Sequence, residues 1–212
     1  MDLFTQLFIA LDQTNKTATK SKLLSDYFQD ASPADAAWAI YFLMGERLKR
    51  LVKSTDLKAW SSEIAGLPDW LFAECYDHVG DLAETLTLLI FSEDRFRKAN
   101  LELTLSELIE NHLLPLKEMG SEAQAKVISG LWSKMDYSMA FVLNKLMTGG
   151  FRVGVSKSLV IKALAKNASL EPAVMAHKLM GLWEPTEANF KALFADGSTK
   201  THALQPYPFC LA

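Results

Sequence analysis

Apolar residues recur along this chain at three- and four-residue spacing, and no run of period-two alternation reads as strands. The pattern predicts an all-α fold. Leu3, Phe4, Leu7, Phe8 and Leu11 share one face of a first helix, which Asp12-Gln13-Thr14-Asn15 breaks with side chains suited to capping. A second helix is expected from about Thr17 to Phe28. Pro33 sits where a first helical turn tolerates proline, and the run through Trp38, Ile40, Tyr41, Phe42 and Leu43 continues to Met44 and stops at Gly45. Ser54-Thr55-Asp56 and Gly66-Leu67-Pro68 bracket another helix. Pro68 then starts one carrying Trp70, Leu71, Phe72, Cys75 and Tyr76, which Gly80 closes before a helix over Asp81 to Phe91. Ser92 to Leu103 is charged and weakly patterned, and reads as a loop.

Thr104-Leu105-Ser106-Glu107 and Ser121-Glu122-Ala123-Gln124 both have the form of a capping box, predicting helices to about Leu113 and through Trp132. A helix from Tyr137 to Leu146 places Phe141, Val142 and Leu143 inward. A glycine-rich turn separates it from a helix over Lys157 to about Asn167, and Pro172 and Pro185 begin two more. Pro206 and Pro208 forbid a helix at the end of the chain and favour an extended segment there. Trp38, Trp60, Trp70, Trp132 and Trp183 fall at helical core spacing, so they are expected to pack inside rather than stack on bases.

Composition agrees with a globular protein: half of the 212 residues are hydrophobic, enough for a sizeable core, and Pro and Gly are scarce. No apolar run approaches the roughly 20 residues of a membrane span, and Met1-Asp2-Leu3-Phe4 lacks the basic flank of a secretory signal. Cys75 and Cys210 provide neither a disulfide framework nor a metal spacing. A soluble protein of a reducing cytosol is expected.

Charge changes the picture once it is read by region. The net charge of −3 argues against a nucleic-acid partner, but residues 61–123 hold 4 basic and 13 acidic side chains, whereas residues 137–170 hold Lys145, Arg152, Lys157, Lys162 and Lys166 and no acid. Residues 1–60 are nearly neutral, yet Arg47, Lys49, Arg50 and Lys53 crowd one segment. Such clusters are ordinarily solvated helix surface; a basic face for a phosphate backbone is the other reading. The turn Lys-Leu-Met-Thr-Gly-Gly-Phe-Arg-Val-Gly-Val-Ser at 145–156 bears on this choice. Its glycines permit close approach and positive φ, and Ser156 would start a helix whose unpaired N–H groups suit an anion. Arg152 would enter such a site or else fold back onto helix carbonyls.

Enzyme chemistry finds no foothold. His78, His112, His177 and His202 lie far apart with no ligand spacing, carboxylate pairs such as Glu107 and Glu110 are commonplace on an exposed face, and no nucleophile elbow, P-loop or dinucleotide fingerprint occurs. No catalytic residue, cofactor ligand or metal ligand is expected.

With those residues in view, the stretch from Phe141 to Leu164 resembles the DNA-binding domain that begins ATP-dependent DNA ligases, and so do three further stretches. These are Asn15-Lys16-Thr17 with Lys20 and Lys22, Val79-Gly80-Asp81-Leu82-Ala83-Glu84, and Met44-Gly45-Glu46-Arg47-Leu48-Lys49-Arg50-Leu51, the last resembling bacterial members. The resemblance implies a domain at 1–204 of about 10–12 helices in two similar halves. It implies sequence-independent binding of double-stranded or nicked DNA through the minor groove and phosphate backbone, in replication, repair or recombination. Thr148, Gly149, Gly150, Arg152, Gly154, Ser156 and Lys157 would hold one stretch of backbone, Gly45, Arg47, Lys49 and Arg50 another across the nick, and Lys16, Lys20 and Lys22 would add outer contacts. Glu46 would repel a phosphate if it faced the DNA.

The resemblance also makes 205–212 the extended start of an adenylation domain whose Lys-x-Asp-Gly motif is not in the chain; the only Asp-Gly, Asp196-Gly197, follows Phe194-Ala195. The chain alone should then be inactive. ATP and Mg²⁺ would serve the parent enzyme, whose adenylation and OB domains would be partners beside DNA, in the cytoplasm on the nucleoid. A helical protein-interaction module with a basic docking face is the alternative function, and a stand-alone enzyme comes behind both.

Overall fold

The computed structural model describes residues 1–49, 51–92, 101–181 and 183–195. Arg50, most of the expected 92–103 loop, His202, Cys210 and the expected extended segment at 205–212 lie outside the described residues. Within them the fold is all-helical, with twelve α-helical segments and no strand.

Chain order begins with α1 (Asp2–Asp12), α2 (Thr17–Asp30) and α3 (Pro33–Leu43), followed by α4 (Ser54–Ala65), α5 (Asp69–Val79) and α6 (Leu82–Ile90). A short turn, α7 (Leu105–Glu107), precedes α8 (Ser121–Trp132), α9 (Tyr137–Thr148), α10 (Lys157–Asn167), α11 (Pro172–Lys178) and α12 (Glu187–Phe194). The helices fall into two packing groups. In one, α2 packs on α1 and α10, and α3 on α12, α10 and α7, with α11 against α10; in the other, α6 is the hub for α4, α5 and α9, and α8 joins α4. Helix α9 also touches α1 and so links the groups.

Local chemistry sets most starts. Ser32 caps α3 by accepting from the Asp35 N–H with Pro33 in the first turn, Asp136 caps α9, and Thr186 caps α12. The box at Thr104 forms in both directions. Beyond it the expected single helix does not continue in α geometry: Leu108–Leu113 is a π-helical turn and Leu114–Glu118 a 3₁₀ turn. Pro115 has no N–H for an α ladder at that point.

Two expectations are corrected by tertiary contacts. The second box is not made, because Ser121 bonds Asp56 across α4, while Gln124 turns inward to donate to the Leu51 and Leu116 carbonyls at 3.2 and 2.7 Å. A buried amide with two carbonyl acceptors holds those loops to α8, and it outweighs a solvent-exposed cap. Trp70 is not a core residue: it is 67% exposed on α5, which buries only Phe72. Trp132 and Trp38 are buried as expected, and Trp60 and Trp183 half-buried.

Polar groups in the core are paired across elements. The Trp132 Nε1–H donates to Asn144 Oδ1 at 3.0 Å, the fully buried Asn144 donates to Thr87 Oγ1 at 3.0 Å, and Thr87 donates to the Ala83 carbonyl at 2.7 Å. This chain ties α8 to α9 and α9 to α6 just before the glycine-rich turn begins.

Candidate nucleic-acid interface

The turn after α9 is built from glycine geometry and one aromatic anchor. Gly149 ends α9 with φ +74° and Gly154 has φ +59°, a left-handed backbone that side-chain-bearing residues adopt only with strain. Between them Phe151 points into the protein, where its ring meets those of Phe4 at 5.7 Å, Phe8 at 5.0 Å and Phe42 at 5.9 Å. Val153 is buried beside it, so alternation along the turn leaves Arg152 exposed. The anchor thus determines which way the arginine faces. Ser156 caps α10 as expected, its Oγ accepting from the Leu159 N–H at 3.3 Å and sharing a hydrogen bond with Ser158 Oγ.

The segment after α3 lies directly against this turn. Gly45, with φ +87°, reverses the chain, and the Tyr41 hydroxyl donates to the Arg47 carbonyl at 2.9 Å. Burial, and then the Glu46 carboxylate, push the Tyr41 phenol above its ordinary range and keep it a donor. A methyl group on Gly149 would meet Arg47 Cδ at 3.5 Å, and one on Gly45 would meet Lys157 Cε at 3.9 Å. Each glycine is therefore crossed by a cationic side chain of the other segment. A cleft of about 330 Å³ runs between them, lined by Gly45, Glu46, Arg47, Arg152 and Gly154 with Phe42 and Phe151 beneath.

Of the expected contact residues, Gly45, Arg47, Lys49, Arg152, Gly154, Ser156 and Lys157 are exposed; Gly45, Arg47, Arg152 and Gly154 line this cleft, and Lys157 lines the neighbouring hollow beside Gly45. The two sets of cations thus sit side by side on one continuous surface. Glu46 lines the same cleft and also the neighbouring hollow with Lys157. Thr148 and Gly150 are half-buried, and the Thr148 hydroxyl is committed to the Asn144 carbonyl at 2.8 Å. Arg50 lies outside the described residues.

The lysines expected as outer contacts divide. Lys16 and Lys22 are exposed, but Lys20 is buried, only 6% exposed, and its Nζ donates to the carbonyls of Val153 at 2.6 Å and Gly154 at 3.0 Å. It faces the underside of the turn, not solvent. Sequence carried a signal for this: Lys20 precedes the buried Leu24, Tyr27 and Phe28 at i−4, i−7 and i−8, which places it on the apolar stripe of α2.

The excess of positive charge in 137–170 is also smaller than counting implies. Lys145 pairs with Asp81 at 2.7 Å, both partly buried, and lies over the Phe141 ring. Partial burial acts to raise the Asp81 carboxyl, but hydrogen bonds from Lys145 and the Glu84 N–H, with the lysine charge, outweigh it and hold Asp81 below its ordinary range. Asp81 is at once the cap of α6 and the partner of Lys145 in the last turn of α9, so it joins α6 to the helix end that leads into the glycine turn.

No group of three or more His, Cys, Asp or Glu among the described residues could hold a metal ion, and no described helix is long and apolar enough to cross a membrane.

Comparison with known proteins agrees with the all-helical architecture and the earlier resemblance. A DNA ligase from Pyrobaculum calidifontis (strain DSM 21063 / JCM 11548 / VA1) is 24% identical over 190 residues, covering 76% of this chain and 30% of the relative, so the chain spans under a third of that enzyme. The family model described as DNA ligase N terminus matches residues 1–165, which takes in both the cleft and the start of α10. The chain therefore belongs to the DNA ligase N-terminus family.

Proposed function

We propose that this chain binds duplex DNA without sequence preference, as the DNA-holding part of an ATP-dependent ligase, through the phosphates and minor groove beside a nick. The observation that carries the reading is the cleft between the 45–47 and 151–155 segments, lined by exposed Arg47 and Arg152, with exposed Lys157 in the adjoining hollow beside Gly45. Cations on phosphates supply affinity that ignores base sequence, and the minor groove offers little sequence information, which suits an enzyme that must act at any break. Glycines with positive φ on both segments bring backbone close to a strand. Because the two segments adjoin, we assign them to neighbouring phosphates of one contact surface.

The reading leaves ATP and Mg²⁺ to an adenylation domain and an OB domain of the parent enzyme, since no lysine here is followed by x-Asp-Gly. The chain alone would bind but not seal. The test is anisotropy titration of nicked and intact duplexes of one sequence at several salt concentrations. Arg152→Ala should reduce the magnitude of the log-log salt slope by about one unit and weaken binding equally across sequences. An unchanged slope and affinity would refute the assignment, and binding to an acidic protein with indifference to duplex would favour a protein-docking module instead.

A further inference from the structure

Among the described cations of the expected contact set only Lys20 faces inward, and no described carboxylate pairs with it. It reaches from α2 to residues 133 and 134 positions later in the chain, and both acceptors are main-chain carbonyls of the turn that carries Arg152. A trans peptide unit holds its C=O and N–H on opposite sides. With the Val153 and Gly154 carbonyls drawn to Nζ, the N–H groups of Gly154 and Val155 are turned away from Lys20, toward the exposed side of the turn. Among the described residues neither N–H is given an acceptor by the protein. The left-handed Gly154 lies between these two peptide units, an arrangement that aims successive N–H groups the same way. The space is fitted to the lysine, since a methyl group on Gly154 would lie 2.9 Å from Nζ.

We propose that Lys20 is a positioning residue for the interface. It does not touch DNA; it fixes the two peptide planes and thereby the outward setting of Arg152 and of the Gly154 and Val155 N–H groups, which bond phosphodiester oxygens of one strand. This rests on the DNA-binding reading above and adds a residue whose charge is spent on the turn rather than on the ligand.

The experiment compares Lys20→Met, Arg152→Ala and the double variant of this chain. Each is tested for cooperative melting and for duplex binding by anisotropy across a salt series, and the amide NMR resonances of Gly154 and Val155 are followed without DNA. Lys20→Met should weaken binding on the order of tenfold, the scale expected for loss of hydrogen bonds to a charged group. Because its effect passes through the turn, the double variant should bind within about twofold of the weaker single variant, and its salt slope should fall by about one unit rather than two. The Gly154 and Val155 amides should shift in Lys20→Met and not in Arg152→Ala. Additive losses with two units of slope would make Lys20 a direct phosphate contact and overturn the proposal, as would unmoved amides or wild-type affinity in Lys20→Met. If the amides move while Arg152→Ala binds DNA like the parent, the interface reading fails and the lysine-held turn stands. Should Lys20→Met not melt cooperatively, Lys20→Gln, which keeps a shorter donor, is judged by the same criteria.

Discussion

Adding a single methyl group at Gly154 isolates the energy with which the turn is held. Gly154→Ala meets two penalties. The left-handed φ of +59° costs a residue with a Cβ about 1–2 kcal/mol. The new methyl would also lie 2.9 Å from Lys20 Nζ, too close for the ammonium to stay on both carbonyls. Losing one hydrogen bond from a charged donor adds about 1.5–3 kcal/mol. Gly66→Ala supplies the internal control, because Gly66 has nearly the same φ, +66°, and nothing lies within 4 Å of the added methyl. The control should cost about 1–2 kcal/mol and Gly154→Ala about 2.5–5 kcal/mol. For a domain of this length that corresponds to Tm decreases of roughly 4 °C and roughly 10 °C. Urea melts followed by circular dichroism measure both, and an unchanged m-value keeps the comparison within one denatured state. Equal losses in the two variants would refute the reasoning, since they would mean that Nζ moves aside freely and that the lysine holds nothing.

Three further outcomes test the rest of the framework. Asp81→Asn keeps a capping side chain but removes the ion pair with Lys145, and should cost about 1 kcal/mol at neutral pH for a partly buried pair that solvent still screens on the Asp81 side. Since Asp81 is held below its ordinary range, that stability is present above about pH 4 and is lost as pH falls through the lowered folded-state value; melts of wild type and variant that stay separated in strong acid would contradict the assignment. Asn144→Ala strands the buried Trp132 N–H and opens a void between α8 and α9, so chemical denaturation should show a loss of about 2–4 kcal/mol, and a loss under 1 kcal/mol would deny the network its role. Trp70→Ser, on the exposed face of α5, should change stability by less than about 0.5 kcal/mol in thermal melts; a large loss would mean the ring is packed after all.

What could be read from sequence was mostly what is decided within a few residues. The Thr104 box and the Ser32 and Ser156 caps depend on side chains reaching their own backbone, the glycine turns at 45 and 149 on local backbone freedom, and they appear where spacing places them. The misreadings share the opposite cause. Ser121 and Gln124 have the right spacing for a box, but Asp56 and Leu51, far away in sequence, and Leu116 in the preceding 3₁₀ turn take their hydrogen bonds. Lys20 belonged to a basic cluster in sequence and to the core stripe of its helix in space, and charge counting could not separate the two. Lys145 reads as free charge in the sequence because its partner, Asp81, stands 64 positions earlier. Residue counts locate a basic region, but pairing decides how much of its charge remains for a ligand.

The reach of Lys20 across 133 positions also has a consequence for how the molecule comes to be folded. Helices α1 and α2 leave the ribosome long before the turn that receives the lysine and before Phe151, which fills the space between Phe4, Phe8 and Phe42. Until residue 155 has emerged, the N-terminal pair has an ammonium on its inner face with no acceptor and an aromatic seat with no occupant, and closing so long a loop is slow relative to local helix formation. The cleft between the two segments is therefore among the last parts to form. A nascent or truncated chain ending before that turn would hold most of its helices and yet lack the cleft, so the proposed affinity for DNA would report completion of the fold rather than its onset.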